Sequence, residues 1–234
     1  MKGRKRRLLL PAVLGVLFAA PSVAQEAGAP ERVDIKEKPW TAIGQVNNSA
    51  YGRCTGILLS REVAVTAAHC LFNKGTGQFM RPQSIHFVLG YDRGAYAFQT
   101  VAREIKLGPA YDPKAPTDTI ADDWALLSLQ EPAPEGTAFV EPAPGRLEEG
   151  ASLISAGFAQ SRLYALTAVR PCPVLGQGPH GTLAVGCRIE HGYSGGPLLD
   201  EEGRLVGIQV AGGKTQGRDF ALAVPVASFA LRKP

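Results

Sequence analysis

Short strand-like runs closed off by turn residues are the feature that most restricts this chain, because they leave no room for a helical fold. Ile57-Leu58-Leu59 leads through a Ser60-Arg61-Glu62 turn into the apolar run at 63–66. Further apolar or alternating runs follow at 85–89, 98–107 and 125–129. Such runs, three to ten residues long, read as strands. The stretch EPAPEGTAFVEPAPGRLEEG, residues 131–150, is rich in Pro and Glu and cannot hold a central strand. The pattern then restarts at 152–156, 165–170, 182–185, 198–199, 205–210 and 221–224. Only 226–231 reads as a helix. The expected fold is all-β, two packed six-stranded antiparallel barrels with a short C-terminal helix. Residues 25–134 would form the first barrel and 135–234 the second, together one domain. No repeat of 20–50 residues is visible, which argues against a propeller or solenoid.

The 234 residues carry 25 Lys+Arg against 21 Asp+Glu, a net charge of +4 that invites a nucleic-acid reading. The excess sits at one end. Residues 1–7 hold five basic residues and no acid, residues 8–20 form an apolar run, and Ser22-Val23-Ala24 ends in small residues. That pattern predicts a secretory signal peptide over residues 1–24. Thirteen apolar residues make only about 20 Å of helix, short of a bilayer core of ~30 Å. Removing residues 1–24 leaves 20 Lys+Arg against 21 Asp+Glu, a net charge of −1. The expectation is an exported protein, periplasmic or extracellular, that does not insert stably in a membrane, binds no nucleic acid and is a monomer.

Cys54, Cys70, Cys172 and Cys187 make an even count, which in an exported chain implies two disulfides. Of three possible connectivities the pattern favours the local one, Cys54–Cys70 and Cys172–Cys187. Each would close a loop of about 15 residues, worth on the order of 3 kcal/mol in the chain-entropy model. A zinc site is disfavoured because no CxxC pair is present. Gly75-Thr76-Gly77 lacks the Lys-Ser/Thr of a phosphate loop, and the acids within 112–123 lack EF-hand spacing. No metal or cofactor is expected.

Three local patterns carry chemistry. They are Thr66-Ala67-Ala68-His69-Cys70, Asp122-Asp123-Trp124-Ala125-Leu126-Leu127 and Gly192-Tyr193-Ser194-Gly195-Gly196-Pro197-Leu198. Taken singly, each reads more simply as a packed histidine, a solvated turn or a plain loop. Together they supply the three groups that activate a hydroxyl nucleophile. A serine hydroxyl needs a base during attack, and histidine titrates near neutrality. A buried carboxylate on the other ring nitrogen fixes the tautomer and stabilises the imidazolium. The glycines let backbone N–H groups, those of Gly192 and Ser194, face the developing oxyanion.

With these residues in view the chain resembles the trypsin-like, chymotrypsin-fold serine peptidases. The resemblance starts at Pro39-Trp40-Thr41-Ala42-Ile43-Gly44 and Cys54-Thr55-Gly56. It runs through the three patterns above to Leu205-Val206-Gly207-Ile208. The order His, Asp, Ser matches as well, and other hydrolase orders do not. The resemblance implies His69 as general base, Asp123 as orienting acid, Ser194 as nucleophile and a Cys54–Cys70 bridge bracing the histidine loop. Asp123 is preferred over Asp122 because it directly precedes the Trp-Ala-Leu-Leu strand. The implied activity is peptide-bond hydrolysis of a polypeptide substrate through an acyl-enzyme. The alternative from a different class is a catalytically silent peptidase-fold binding protein.

The sequence also departs from that family. Its best-known members carry Asp immediately before the nucleophile, where this chain has Tyr193. In them that Asp pairs with an amino terminus released by cleavage. No Ile-Val-Gly-Gly start is present here, so the site is expected to need no such ion pair, as in relatives similar to the glutamyl endopeptidases. Cys187 lies seven residues before Ser194 rather than four. Cys172 and Cys187 instead flank a hairpin turn at 176–181. For the pocket that receives the side chain before the scissile bond, the resemblance implies walls at Val210, Ala211 and Gly212. Counting places Arg188 at its base, with Asp219 as a competing charge and His191 at the rim. The side-chain preference stays open.

Overall fold

The computed structural model describes residues 28–50, 52–145, 147–162 and 164–229. The expected signal peptide over residues 1–24 lies outside them. In chain order the strands are β1 (Glu31–Arg32), β2 (Ile43–Asn48), β3 (Arg53–Ser60), β4 (Val63–Thr66) and β5 (Phe72–Asn73). Then come β6 (Gln78–Phe79), β7 (Ile85–Leu89), β8 (Phe98–Leu107), β9 (Ala125–Leu129) and β10 (Ser152–Gly157). The last are β11 (Thr167–Gln177), β12 (Leu183–Val185), β13 (Pro197–Leu199), β14 (Leu205–Thr215) and β15 (Arg218–Pro225).

The fold is all-β. The first barrel closes in the order β2-β3-β4-β9-β8-β7. The second runs β11-β10-β13-β14-β15-β12 and closes by the β11–β12 pairing. Every ladder between these strands is antiparallel, as short strands joined by tight turns require, and one isolated parallel bridge joins Pro142 to Leu205. β11 serves three neighbours because its halves do different work. Its first half pairs with β10 and β1, and its second half with β12. The register shift in the β10 ladder falls between Val169 and Cys172, where Pro171 offers no N–H donor, and a second shift in the β12 ladder falls at Val174–Gly176.

The short helix expected over 226–231 is, as far as the described residues reach, a 3-10 turn at Val226–Ser228 followed by the fully buried Phe229; residues 230–231 lie outside them. The Phe229 ring lies 6.2 Å from that of Trp124, joining the tail of the second barrel to the loop before β9. The same apolar cluster holds Ile57, Leu127, Leu199, Ile208 and Val224, so it is shared by both barrels. A smaller cluster around Leu153, Val169, Tyr193 and Leu198 fills the second barrel.

The segment before β2 ties the barrels from outside. Gly28 N–H donates to the Arg170 carbonyl, β1 pairs with Thr167 and Ala168, and Val33 N–H donates to Leu166. Arg32 meanwhile reaches Asp92 of the first barrel at 2.6 Å. Disulfides join Cys54 to Cys70 and Cys172 to Cys187. Among the described residues no helix is long and apolar enough to cross a membrane.

Candidate active site

His69 sits in a 3-10 turn, Ala68–Leu71, that follows β4. The turn is anchored by the Cys54–Cys70 bridge to β3, so the imidazole is carried on a braced loop. Asp123 follows the 3-10 turn Ile120–Asp122 and directly precedes Trp124 and β9. β4 and β9 are paired, with Thr66 opposite Ala125, and that register brings the two loops together. The Asp123 carboxylate holds His69 at two points. One oxygen accepts the His69 backbone N–H at 2.8 Å, and the other lies 2.6 Å from Nδ1. The Asp123 side chain is only 6% exposed against 33% for His69, leaving the far edge of the imidazole open to solvent. Buried carboxylates are held by such partners.

Ser194 lies in the tight turn before β13. Gly192 and Gly195 flank it with φ of 98° and 77°, a region that favours glycine. Among the described residues neither the Gly192 N–H nor the Ser194 N–H is taken up by a hydrogen bond, whereas Tyr193, Gly195 and Gly196 all donate to carbonyls.

The turn is locked to the first barrel by Thr55, a buried residue of β3. The Thr55 N–H donates to the Ser194 carbonyl at 2.9 Å. Its hydroxyl donates to the Gly192 carbonyl at 2.7 Å and accepts the Phe158 N–H at 3.0 Å. From beneath, buried Gln209 accepts the Gly195 N–H on its backbone at 2.7 Å. Its side-chain amide donates to the Ala156 and Pro197 carbonyls. Tyr193 points into the second core, 1% exposed, with its hydroxyl 2.7 Å from that of Thr167. Burial raises its phenol above the ordinary value. A buried, hydrogen-bonded phenol thus occupies the position where a carboxylate would need a cationic partner. Thr55 was noted in the sequence only as part of a matching stretch, and Gln209 and Thr167 carried no signal there. A buried polar residue inside an apolar run is the trace each leaves.

His69 and Ser194 line one cleft of about 640 Å³, and His191 joins them on its wall. The other residues proposed for the substrate pocket are not part of that cleft. Arg188 is exposed, Val210 is buried in β14, and Asp219 reaches Lys214 at 3.7 Å across the β14–β15 hairpin. Ile189, rather than Arg188, packs over Gly212, where an added Cβ would come within 2.4 Å of Ile189 Cγ1. A larger groove, about 1290 Å³ between residues 32–38, 89–98 and 134–138, holds no serine, cysteine or histidine. Among the described residues Cys54, His69 and Cys70 are grouped closely enough to suggest metal ligands, but both sulfurs are consumed by their disulfide. A hydroxyl, an imidazole oriented by a buried carboxylate, and free backbone donors beside the hydroxyl are the parts that acyl transfer needs.

A family model described as a trypsin-like peptidase domain matches residues 54–208. Among solved structures, a Glu endopeptidase superposes with a TM-score of 0.72 at 13% identity, covering 89% of this chain and 95% of that one. Human heparin binding protein gives 0.66 at 21% identity, covering 86% and 92%. A two-residue mutant of the same human protein gives 0.67 with equal identity and coverage. A comparison with curated proteins finds no match.

Proposed function

Because this chain belongs to the trypsin-like peptidase domain family, we propose that it is a serine endopeptidase acting on polypeptides, exported through residues 1–24 to the periplasm or beyond the cell. The observation that carries this reading is the two-point hold of Asp123 on His69 within the cleft that also contains Ser194.

In this mechanism Ser194 Oγ attacks the scissile carbonyl while His69 takes its proton at Nε2. Asp123, on Nδ1, fixes the tautomer and stabilises the imidazolium. The N–H groups of Gly192 and Ser194 receive the oxyanion, each donor contributing about 100- to 1000-fold in rate. The tetrahedral species collapses, the C–N bond breaks, and His69 returns the proton to the leaving amine. Water then attacks the ester by the same route and frees Ser194. The two disulfides support the exported setting.

The second reading, a catalytically silent binding protein, takes its support from the likeness to human heparin binding protein. The charge argues against a heparin-like ligand, since outside residues 1–24 the chain has 20 basic against 21 acidic residues. Digestion of a mixed peptide library separates the readings. Cleavage by the protein lacking residues 1–24, falling about 10⁴- to 10⁶-fold in Ser194→Ala, is the expected result. An intact library overturns it.

A further inference from the structure

The cleft around His69 and Ser194 has one chemical character that the hydrolytic machinery does not use. Its floor is apolar, formed by the Cys54–Cys70 disulfide, Phe72 and Met80. Its rim carries two cations, Arg53 and Lys74, together with His191, and among the described residues no Asp or Glu lines it. Arg53 opens β3 beside Cys54, and Lys74 sits in the turn between β5 and β6. Both are exposed, and neither forms an ion pair among the described residues. Glu190, the neighbouring acid, is engaged by the Ser161 hydroxyl.

Which part of a substrate would lie there follows from the proton transfer. The acyl half of the scissile bond becomes attached to Ser194. The amine half must depart past His69, because His69 supplies its proton. Arg53, the disulfide, Phe72 and Lys74 all belong to the barrel that carries His69, and β14 contributes nothing to this cleft. The cleft is therefore on the side of the residues after the scissile bond.

We propose that Arg53 and Lys74 make this cleft a subsite selective for substrates with acidic side chains in the first residues after the scissile bond. The inference rests on the peptidase reading above. Two exposed cations with no competing carboxylate attract an acid by screened Coulomb interaction, so the preference is modest and salt-dependent. Lysine or arginine at the same substrate positions is disfavoured by like-charge repulsion.

The test digests a proteome-derived peptide library with the protein lacking residues 1–24 and reads the three residues after each cut by mass spectrometry. Asp and Glu are expected to be enriched about threefold to tenfold over the library, with Lys and Arg depleted. Half-molar salt should shrink the enrichment. In the Arg53→Gln, Lys74→Gln double variant the enrichment should vanish, and in Arg53→Glu, Lys74→Glu it should reverse. Because the readout is a ratio among cuts, it does not depend on the total rate. Cuts with no acidic enrichment, or enrichment that survives charge reversal, overturn the inference and leave the peptidase reading standing. No cuts at all, with no labelling of Ser194 by diisopropyl fluorophosphate, overturns both.

Discussion

The hydroxyl of Thr55, on the first barrel, donates a 2.7 Å hydrogen bond to the carbonyl of Gly192, on the second. The same oxygen accepts the Phe158 N–H, and the Thr55 backbone binds the Ser194 carbonyl. One buried threonine thus fixes the Ser194 turn of one barrel against β3 of the other, the strand whose Cys54 braces the histidine loop.

Thr55→Val removes the hydroxyl and keeps the shape, leaving the Gly192 carbonyl and the Phe158 N–H without that partner. Each buried group left unpaired costs about 1–3 kcal/mol. A loss of about 2 kcal/mol or more in urea denaturation is expected, with kcat falling at least tenfold. Thr55→Ser, which keeps the donor, should recover most of the kcat. Equal kcat in Val and Ser variants would contradict the clamp.

The adjacent acids Asp122 and Asp123 should separate cleanly. Asp123 alone holds the His69 ring and backbone. Asp123→Asn is expected to lower kcat by about 10⁴-fold with KM little changed, because an amide favours the wrong tautomer. Asp122→Asn should stay within a few-fold of wild type. Steady-state kinetics on one peptide substrate decides between them.

Tyr193 links the site to alkaline stability. Burial first, and then the Glu190 charge, raise its phenol above the ordinary value, against the opposing pull of the Thr167 bond and Arg162. Tyr111 is raised likewise, by burial and by Asp123 and Asp112. A raised phenol means that above about pH 10 the unfolded chain releases protons that the folded chain keeps. This contribution is complete below pH 10 and is lost as pH rises through the folded values. Tyr193→Phe should cost about 1 kcal/mol at pH 8, through the lost hydrogen bond. It should also make stability fall less steeply between pH 10 and 11. Denaturant titrations across that range provide the check.

The amino-terminal segment should matter for stability rather than for switching. Its backbone pairs along β11 from Leu166 to Arg170, beside the Thr167 that meets Tyr193. Tyr193 needs no cationic partner, so the chain starting at residue 25 should be active without further cleavage. Removing residues 25–33 should lower Tm by several degrees through the lost strand and the Arg32–Asp92 pair. A chain from residue 25 that is inert until it is cut would contradict this.

Much of this was legible in the sequence, for identifiable reasons. β7 and β9 fall on the expected bounds because their burial leaves clear apolar runs. β1 was invisible, since Glu31 and Arg32 are exposed and contribute only backbone pairing. β11 runs on through Pro171 and Pro173, beyond the run expected at 165–170, because the shift in the β10 ladder between Val169 and Cys172 accommodates the missing N–H of Pro171. The stretch from Val226 read as a short helix, and it forms a single 3-10 turn that sets Phe229 against Trp124 across the barrel interface. His69, Asp123 and Ser194 stood out in the sequence because each sits in a dense local pattern, and the structure sets His69 against Asp123 and in one cleft with Ser194. Thr55, Gln209 and Thr167 were not, because their roles exist only between segments distant in the chain.

The central claim is that Ser194 is a nucleophile activated by His69 and Asp123. Its most direct test is phosphorylation by diisopropyl fluorophosphate, which loses fluoride, followed by intact mass and peptide mapping. One adduct per chain, located on Ser194, absent in Ser194→Ala and formed at least 100-fold more slowly in His69→Ala, is the expected result. No adduct on the wild type, or an adduct that persists in Ser194→Ala, would contradict the account.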